Sequence, residues 1–175
     1  MMPEQPRKLS EIMKAMAQTV LRRPNAEPSA EAAHAALMFA NIAWNECVGM
    51  DHARESYRTA WKKFEASNPS FWNELKSKDI NAMIDGLVQH KKTHYPDDRR
   101  RILVCGMVES GNVHVEWLEP AAPGVDPQLE MQLYGLVRSG RRKEAIKFLQ
   151  ETFLVSRNEA ATTVAAAAKK LGIGT

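Results

Sequence analysis

The chain has only two cysteines in 175 residues, Cys47 and Cys105, each set inside an apolar run. That excludes a disulfide framework and predicts buried, reduced thiols, because a free cysteine packs as a small hydrophobe. The N-terminal stretch MMPEQPRKLSEIMK lacks an apolar targeting core, and no stretch is long and apolar enough to span a bilayer. The expectation is a cytoplasmic protein without membrane contact. Catalytic and cofactor motifs are lacking too, so no cofactor and no metal is implied. No internal repeat of 20 to 50 residues is visible.

What the sequence does contain is enough apolar material for a core. Hydrophobic residues make up 44% and charged residues 26%, the proportions of a folded globular chain rather than a disordered one. The length allows one domain, or one domain with a small appendage. The net charge of +3 is unevenly placed. From Pro127 onward eight Lys or Arg stand against four Asp or Glu, whereas the first 126 residues hold sixteen against seventeen. The basic excess therefore belongs to the C-terminal segment, which permits an acidic partner without demanding one.

Apolar spacing predicts a first helix carrying Leu9, Ile12, Met13, Met16 and Val20 on one face, ended by Arg22-Arg23-Pro24. Ser29 is the expected cap of an Ala-rich helix over about 30–48, apolar nearly all round and therefore central. A third helix from about Asp51 to Ala66 carries Tyr57, Trp61 and Phe64 as a stripe, with a short turn after Asn68-Pro69 and a further helix over about 79–94. The period then changes to alternation. Residues 101–107 and 113–118 read as an antiparallel hairpin around Glu109-Ser110-Gly111-Asn112, with Val113, Val115 and Trp117 on the packed face. After the Pro-rich stretch EPAAPGVDP come three short helices. They open at Asp126-Pro127, at about residue 141, and at Ser156, where Ser156 and Glu159 fit a capping box. The predicted fold is mainly α (α+β): a helical domain over 1–97, a β-hairpin packed on helices over 98–122, and a small C-terminal helical module over 123–175.

Several constellations bear on function. His90 and His94 have the one-turn spacing a metal site can use, but Lys91 stands where a zinc helix would carry an acid, and two lysines between the imidazoles repel a cation. The pair reads as a solvated helix end whose His and Lys complement the helix C-terminus. His34, Asn41 and Asn45 share a polar stripe on the apolar second helix. Such a stripe faces solvent, forms an internal network or lines a pocket. No Ser, Cys or acid stands at a spacing that would make a nucleophilic triad there. The Tyr57, Trp61, Phe64 stripe reads as core rather than a base-stacking platform, and Cys105 with His114 lacks the basic surroundings of a reactive thiol.

The dibasic pairs Arg22-Arg23, Lys62-Lys63 and Lys91-Lys92 and the run Arg99-Arg100-Arg101 are scattered. The C-terminal set is concentrated: Arg138, Arg141, Arg142, Lys143, Lys147 and Arg157 fall within twenty residues. Lys143 and Lys147 lie one turn apart on the polar face of their helix, and Arg157 sits at the mouth of the next, where backbone amides also favour an anion.

The stretch KEAIKFLQETFLVSRNEA resembles the helix–turn–helix of the C-terminal domain of bacterial ribosomal protein L7/L12. Ala145-Ile146-Lys147, Glu151-Thr152 and Glu159-Ala160 match its rhythm over about twenty-five residues, while the turn glycine of that pattern is Phe153 here. In that family the surface made by these helices contacts translation factors, so the resemblance implies an interaction hairpin with Lys147 and Arg157 near its face. The leading expectation is a non-enzymatic interaction or regulatory protein whose basic C-terminal face, Arg141, Arg142, Lys143, Lys147 and Arg157, meets an acidic protein. The alternatives are a nucleic-acid binder using the same face with Arg99 to Arg101, and an enzyme with a pocket at the His34, Asn41 and Asn45 stripe.

Overall fold

A computed structural model describes residues 8–23, 26–50, 53–108, 111–121 and 123–173. Pro24 of the first helix stop, Asp51 and the hairpin residues Glu109 and Ser110 lie outside them. The chain divides into two compact units, Met1–Pro120 and Ala121–Thr175. Among the described residues the elements are mainly helical, with one two-stranded antiparallel sheet.

In the first unit α1 (Leu9–Gln18) buries Leu9, Ile12, Met13, Met16 and Ala17, and Val20 and Leu21 beyond its end are buried as well. Helix α2 (Ala30–Cys47) is the central element. Five alanines on it are fully buried, so neighbouring backbones can approach closely, while Phe39 and Trp44 fill the larger spaces. Burial of one such side chain contributes about 2–3 kcal/mol. Ser29 caps α2 by accepting from the Ala32 amide at 3.2 Å. Its own amide and hydroxyl donate to the Glu74 carboxylate at 2.9 and 2.5 Å, which ties the start of α2 to a segment 45 residues away.

Helix α3 (Ala53–Ser67) turns Trp61 into a nest of rings made by Phe39, Phe64, Phe71 and Trp72, with centroids 4.9 to 5.7 Å away. Arg54 on α3 clamps Glu46 of α2 at 2.6 Å and Asp85 of the following helix at 2.5 Å. A 3₁₀ helix (Pro69–Glu74) takes Pro69 at its first turn. The Asn68 side chain does not cap it but donates back to the Phe64 carbonyl at 3.0 Å. Helix α4 (Ile80–His94), capped by Asp79 through the Ala82 amide at 3.0 Å, packs Met83, Ile84 and Leu87 against the core.

Strands β1 (Arg101–Met107) and β2 (Val113–Leu118) pair antiparallel, and β1 lies against α2. The strand bounds are those the alternation predicts. The packed face is as predicted only in part: Val115 is buried and Val113 packs against the core as expected, but Leu118 is buried as well and Trp117 is 46% exposed. A bulge explains the difference: Ile102 pairs with Trp117 and Val104 with Glu116, which leaves Leu103 as an extra residue. A bulge adds twist and breaks strict alternation. Here Leu118 takes the inward place, while Trp117 lies at the rim under the Arg100 guanidinium, 5.6 Å from its ring centroid.

In the second unit Asp126 caps α5 (Pro127–Arg138) through the Gln128 amide at 2.8 Å, with Pro127 in the first turn. Gly140, at φ +75°, closes that helix in the left-handed conformation that suits glycine. Helix α6 (Arg142–Phe153) buries Ala145 and Leu149 and half-buries Ile146 and Phe148. The predicted capping box opens α7 (Arg157–Lys170): the Glu159 amide donates to Ser156 Oγ at 3.3 Å, and the Ser156 amide to Glu159 Oε2 at 2.9 Å. Ala160, Val164, Ala167 and Ala168 form the inner face of α7, one small-residue seam against α5 and α6.

Candidate functional site

The basic residues of the second unit divide by their partners. Arg141, exposed ahead of α6, forks onto Glu144, with Nε donating to Oε1 at 2.8 Å and Nη2 to Oε2. Lys147 reaches Glu151 one turn on, at 3.6 Å. Arg142 is half-buried at the start of α6. Lys143 and Arg157 are exposed and carry no ion pair among the described residues. Exposed pairs of this kind are worth under about 1 kcal/mol, so a stronger acidic partner can displace Glu151 from Lys147. The helical spacing puts Lys143 and Lys147 one turn apart on the outer face of α6, and the capping box fixes Arg157 as the first residue of α7.

At the corner after α6, Leu154 has φ 54° and ψ 32°, the left-handed conformation, and is 90% exposed. Phe153 before it is 51% exposed. A residue with a Cβ is strained there by about 1 kcal/mol. The sequence carries no sign of this. Leucine ordinarily marks a helix interior, and the position reserved for a turn glycine by the resemblance is Phe153, one residue earlier.

The stripe on α2 resolves into an internal network plus one surface residue. Asn41 Nδ2 donates to the Tyr57 hydroxyl at 2.6 Å, and Asn45 Nδ2 donates to Asn41 Oδ1 at 3.1 Å. Asn45 also bonds both backbone groups of Ile102, accepting from its amide and donating to its carbonyl at 2.9 Å each. Both asparagines are buried with their amides engaged. His34 is exposed, its ring 5.0 Å from that of Phe64, and belongs to neither the network nor a shared pocket wall. The first unit has a cleft of about 170 Å³ between α1, α2 and the hairpin, and one of about 450 Å³ between α2, α3 and α4. Neither is lined by His34, Asn41 or Asn45.

Two further expectations change. Lys91 is not part of a solvated helix end: it is 2% exposed, its ammonium donates to the Tyr95 and Asp98 carbonyls at 2.6 Å each, and it lies 4.7 Å above the Trp44 ring. It therefore clamps the chain where α4 gives way to β1. The rings of His90 and His94 lie 4.3 Å apart, tilted by 41°, and burial together with the His94 charge lowers the His90 pKa. Among the described residues no group of three His, Cys, Asp or Glu is placed to hold a metal. The Arg99 to Arg101 run is also taken apart. Arg101 is 1% exposed and donates to the Glu119 carbonyl at 2.6 Å, and Arg100 is bound to Asp98 at 2.5 Å.

Both thiols are free and half-buried. Burial pushes Cys105 up to about 12 and raises Cys47. Cys105 pairs across the ladder with Val115, whereas His114 opposes Gly106 and bonds Glu116 at 3.1 Å, so no thiol–imidazole pair forms. No described helix is long and apolar enough to cross a membrane. No protein family, curated protein or solved structure matches the chain.

Proposed function

We propose that the chain is a non-enzymatic interaction or regulatory protein of the cytoplasm, and that the basic face of its C-terminal helices meets an acidic protein. The observation that carries this reading is the exposure of Lys143, Lys147 and Arg157 on one short helical pair, with Lys143 and Arg157 lacking an ion pair among the described residues. The local resemblance to the L7/L12 helix–turn–helix points the same way. The cytoplasmic part of the reading rests on the scarcity of cysteine, two in the chain, each in an apolar run and each a free thiol. A nucleic-acid surface is less well supported. Glu144 and Glu151 are interspersed with the cations of α6, and Arg100 and Arg101 are occupied within the first unit.

The test is a capture experiment on host extract with the intact chain and the triple variant Lys143→Gln, Lys147→Gln, Arg157→Gln, the bound proteins being identified and then titrated in purified form. The parent chain should retain an acidic protein that the triple variant releases, with the melting temperature hardly changed. Retention by both would remove the reading. A steep loss of binding to nucleic acid with salt would instead favour the phosphate-binding alternative.

A further inference from the structure

The corner between α6 and α7 combines strain, exposure and charge. Leu154 is the only non-glycine residue with positive φ among the described residues. Its side chain is 90% exposed and Phe153 beside it 51%, so the strained backbone delivers no anchor to the core. Glycine would adopt this conformation without penalty and expose no apolar surface. Nothing in the packing of the second unit calls for leucine here, because its core is closed by Ala145, Leu149, Ala160 and Val164.

Cations also flank the tip in sequence. Lys143 and Lys147 lie one turn apart on α6, which ends at Phe153, and Arg157, the first residue of α7, follows three residues after Leu154. We infer that Phe153 and Leu154 are the apolar anchor of a docking surface for an acidic protein segment. That segment sets a bulky apolar side chain against Leu154 and carboxylates against Lys143, Lys147 and Arg157. The inference rests on the function proposed above and adds to it a hydrophobic contact that charge alone does not require. Leu154, more exposed than Phe153, offers no ring face for a base to stack on and no donor for a phosphate, whereas it matches an apolar side chain directly. Charge selects an acidic segment, and Leu154 selects among acidic segments the one that carries an apolar anchor.

The test uses the full chain and two synthetic glutamate-rich peptides, identical except that one carries a Leu-Leu pair and the other Ser-Ser. Binding is followed by fluorescence anisotropy for the parent, Leu154→Gly and the triple charge variant. The parent should prefer the Leu-Leu peptide. Leu154→Gly should bind that peptide roughly tenfold more weakly, as loss of one buried leucine contact implies. It should bind the Ser-Ser peptide as the parent does, and its melting temperature should stay level or rise because the strain is relieved. Equal binding of the Leu-Leu peptide by parent and Leu154→Gly overturns the anchor, as does the absence of any preference in the parent. A lower melting temperature for Leu154→Gly also overturns it, since the leucine would then be structural. If the triple charge variant loses binding while Leu154→Gly does not, the anchor falls and the basic-face reading stands. If neither variant loses binding, both fall. Tighter binding to single-stranded RNA or to vesicles containing anionic lipid, or self-association that Leu154→Gly abolishes, assigns the surface to another occupant and overturns the inference.

Discussion

Asn45 completes the edge of β1 with a side chain. Its amide accepts from the Ile102 amide and donates to the Ile102 carbonyl, both at 2.9 Å, so that one asparagine on α2 does for Ile102 what a neighbouring strand would do. Ile102 is buried with no other strand beyond it among the described residues, and an unpaired buried backbone group costs about 1–3 kcal/mol. The last polar residue of the stripe on α2 is thus explained by the sheet edge that it faces.

Replacing Asn45 with leucine leaves two backbone groups and Asn41 Oδ1 without this partner. The expected loss is about 3 kcal/mol or more, read as a lower denaturant midpoint. Asn41→Leu, which forfeits the Tyr57 hydroxyl but leaves the Ile102 pair intact, should cost less. An Asn45→Leu variant as stable as the parent would show that Ile102 is satisfied some other way.

The hairpin separates two neighbouring residues of opposite worth. Trp117→Ala removes a half-exposed ring stacked by Arg100 and should cost about 1 kcal/mol. Ile102→Ala, directly across the ladder, empties a fully buried site and should cost about 3 kcal/mol. Equal losses would mean that the bulge does not turn Trp117 to the rim.

The difference between these residues also marks how far the sequence can be read. Caps at Ser29, Asp126 and Ser156 are visible because their signal lies within three residues, and the hairpin is visible because alternation is local. The bulge at Leu103 depends on register, which is set across the pair rather than along one strand. Asn45 with Ile102 and Ser29 with Glu74 join residues 57 and 45 positions apart, and no periodicity records them. Lys91 and Arg101 look like surface charge until carbonyls from the next turn and the opposite strand close over them. The same locality made the basic C-terminal set legible and left the exposed corner at Leu154 hidden.

The Ser29–Glu74 contact predicts an acid limb. Both hydrogen bonds from Ser29 hold the Glu74 carboxyl below its ordinary value. A depressed folded-state pKa contributes stability that is present above the unfolded value and lost as pH falls through the folded one. Glu74→Gln should therefore flatten part of the decline in stability below the normal glutamate range, while near neutral pH it should be the less stable chain. Parallel declines for parent and variant would exclude Glu74 as a contributor.

Cys105 and Cys47 should differ in reactivity. With its pKa pushed to about 12, Cys105 holds almost no thiolate near neutral pH, and the thiolate is the attacking species. A thiol reagent should modify Cys47 first and Cys105 only slowly in the native chain, with both reacting rapidly in denaturant. Rapid native labelling of Cys105 would contradict its burial, and a native disulfide would overturn the proposal of a reducing compartment.

The capping box offers a test confined to the second unit. Ser156 supplies an acceptor to the Glu159 amide, and Glu159 returns one to the Ser156 amide, so two donors at the start of α7 are satisfied reciprocally. In a unit as small as Ala121–Thr175 an N-cap worth about 1 kcal/mol is a large share of local stability. Ser156→Ala should raise amide exchange in the first turn of α7 and leave the helices of the first unit unaffected. Glu159→Gln, which keeps an acceptor on the same reach, should preserve most of the protection. Because Arg157 is the first residue of this helix, fraying of the turn also loosens the position of one cation on the proposed face. The Ser156→Ala chain should accordingly bind the Leu-Leu peptide more weakly while retaining its preference over Ser-Ser. Unchanged exchange at Asn158 and Glu159 would mean that packing of Ala160 and Val164, not the cap, fixes where α7 begins.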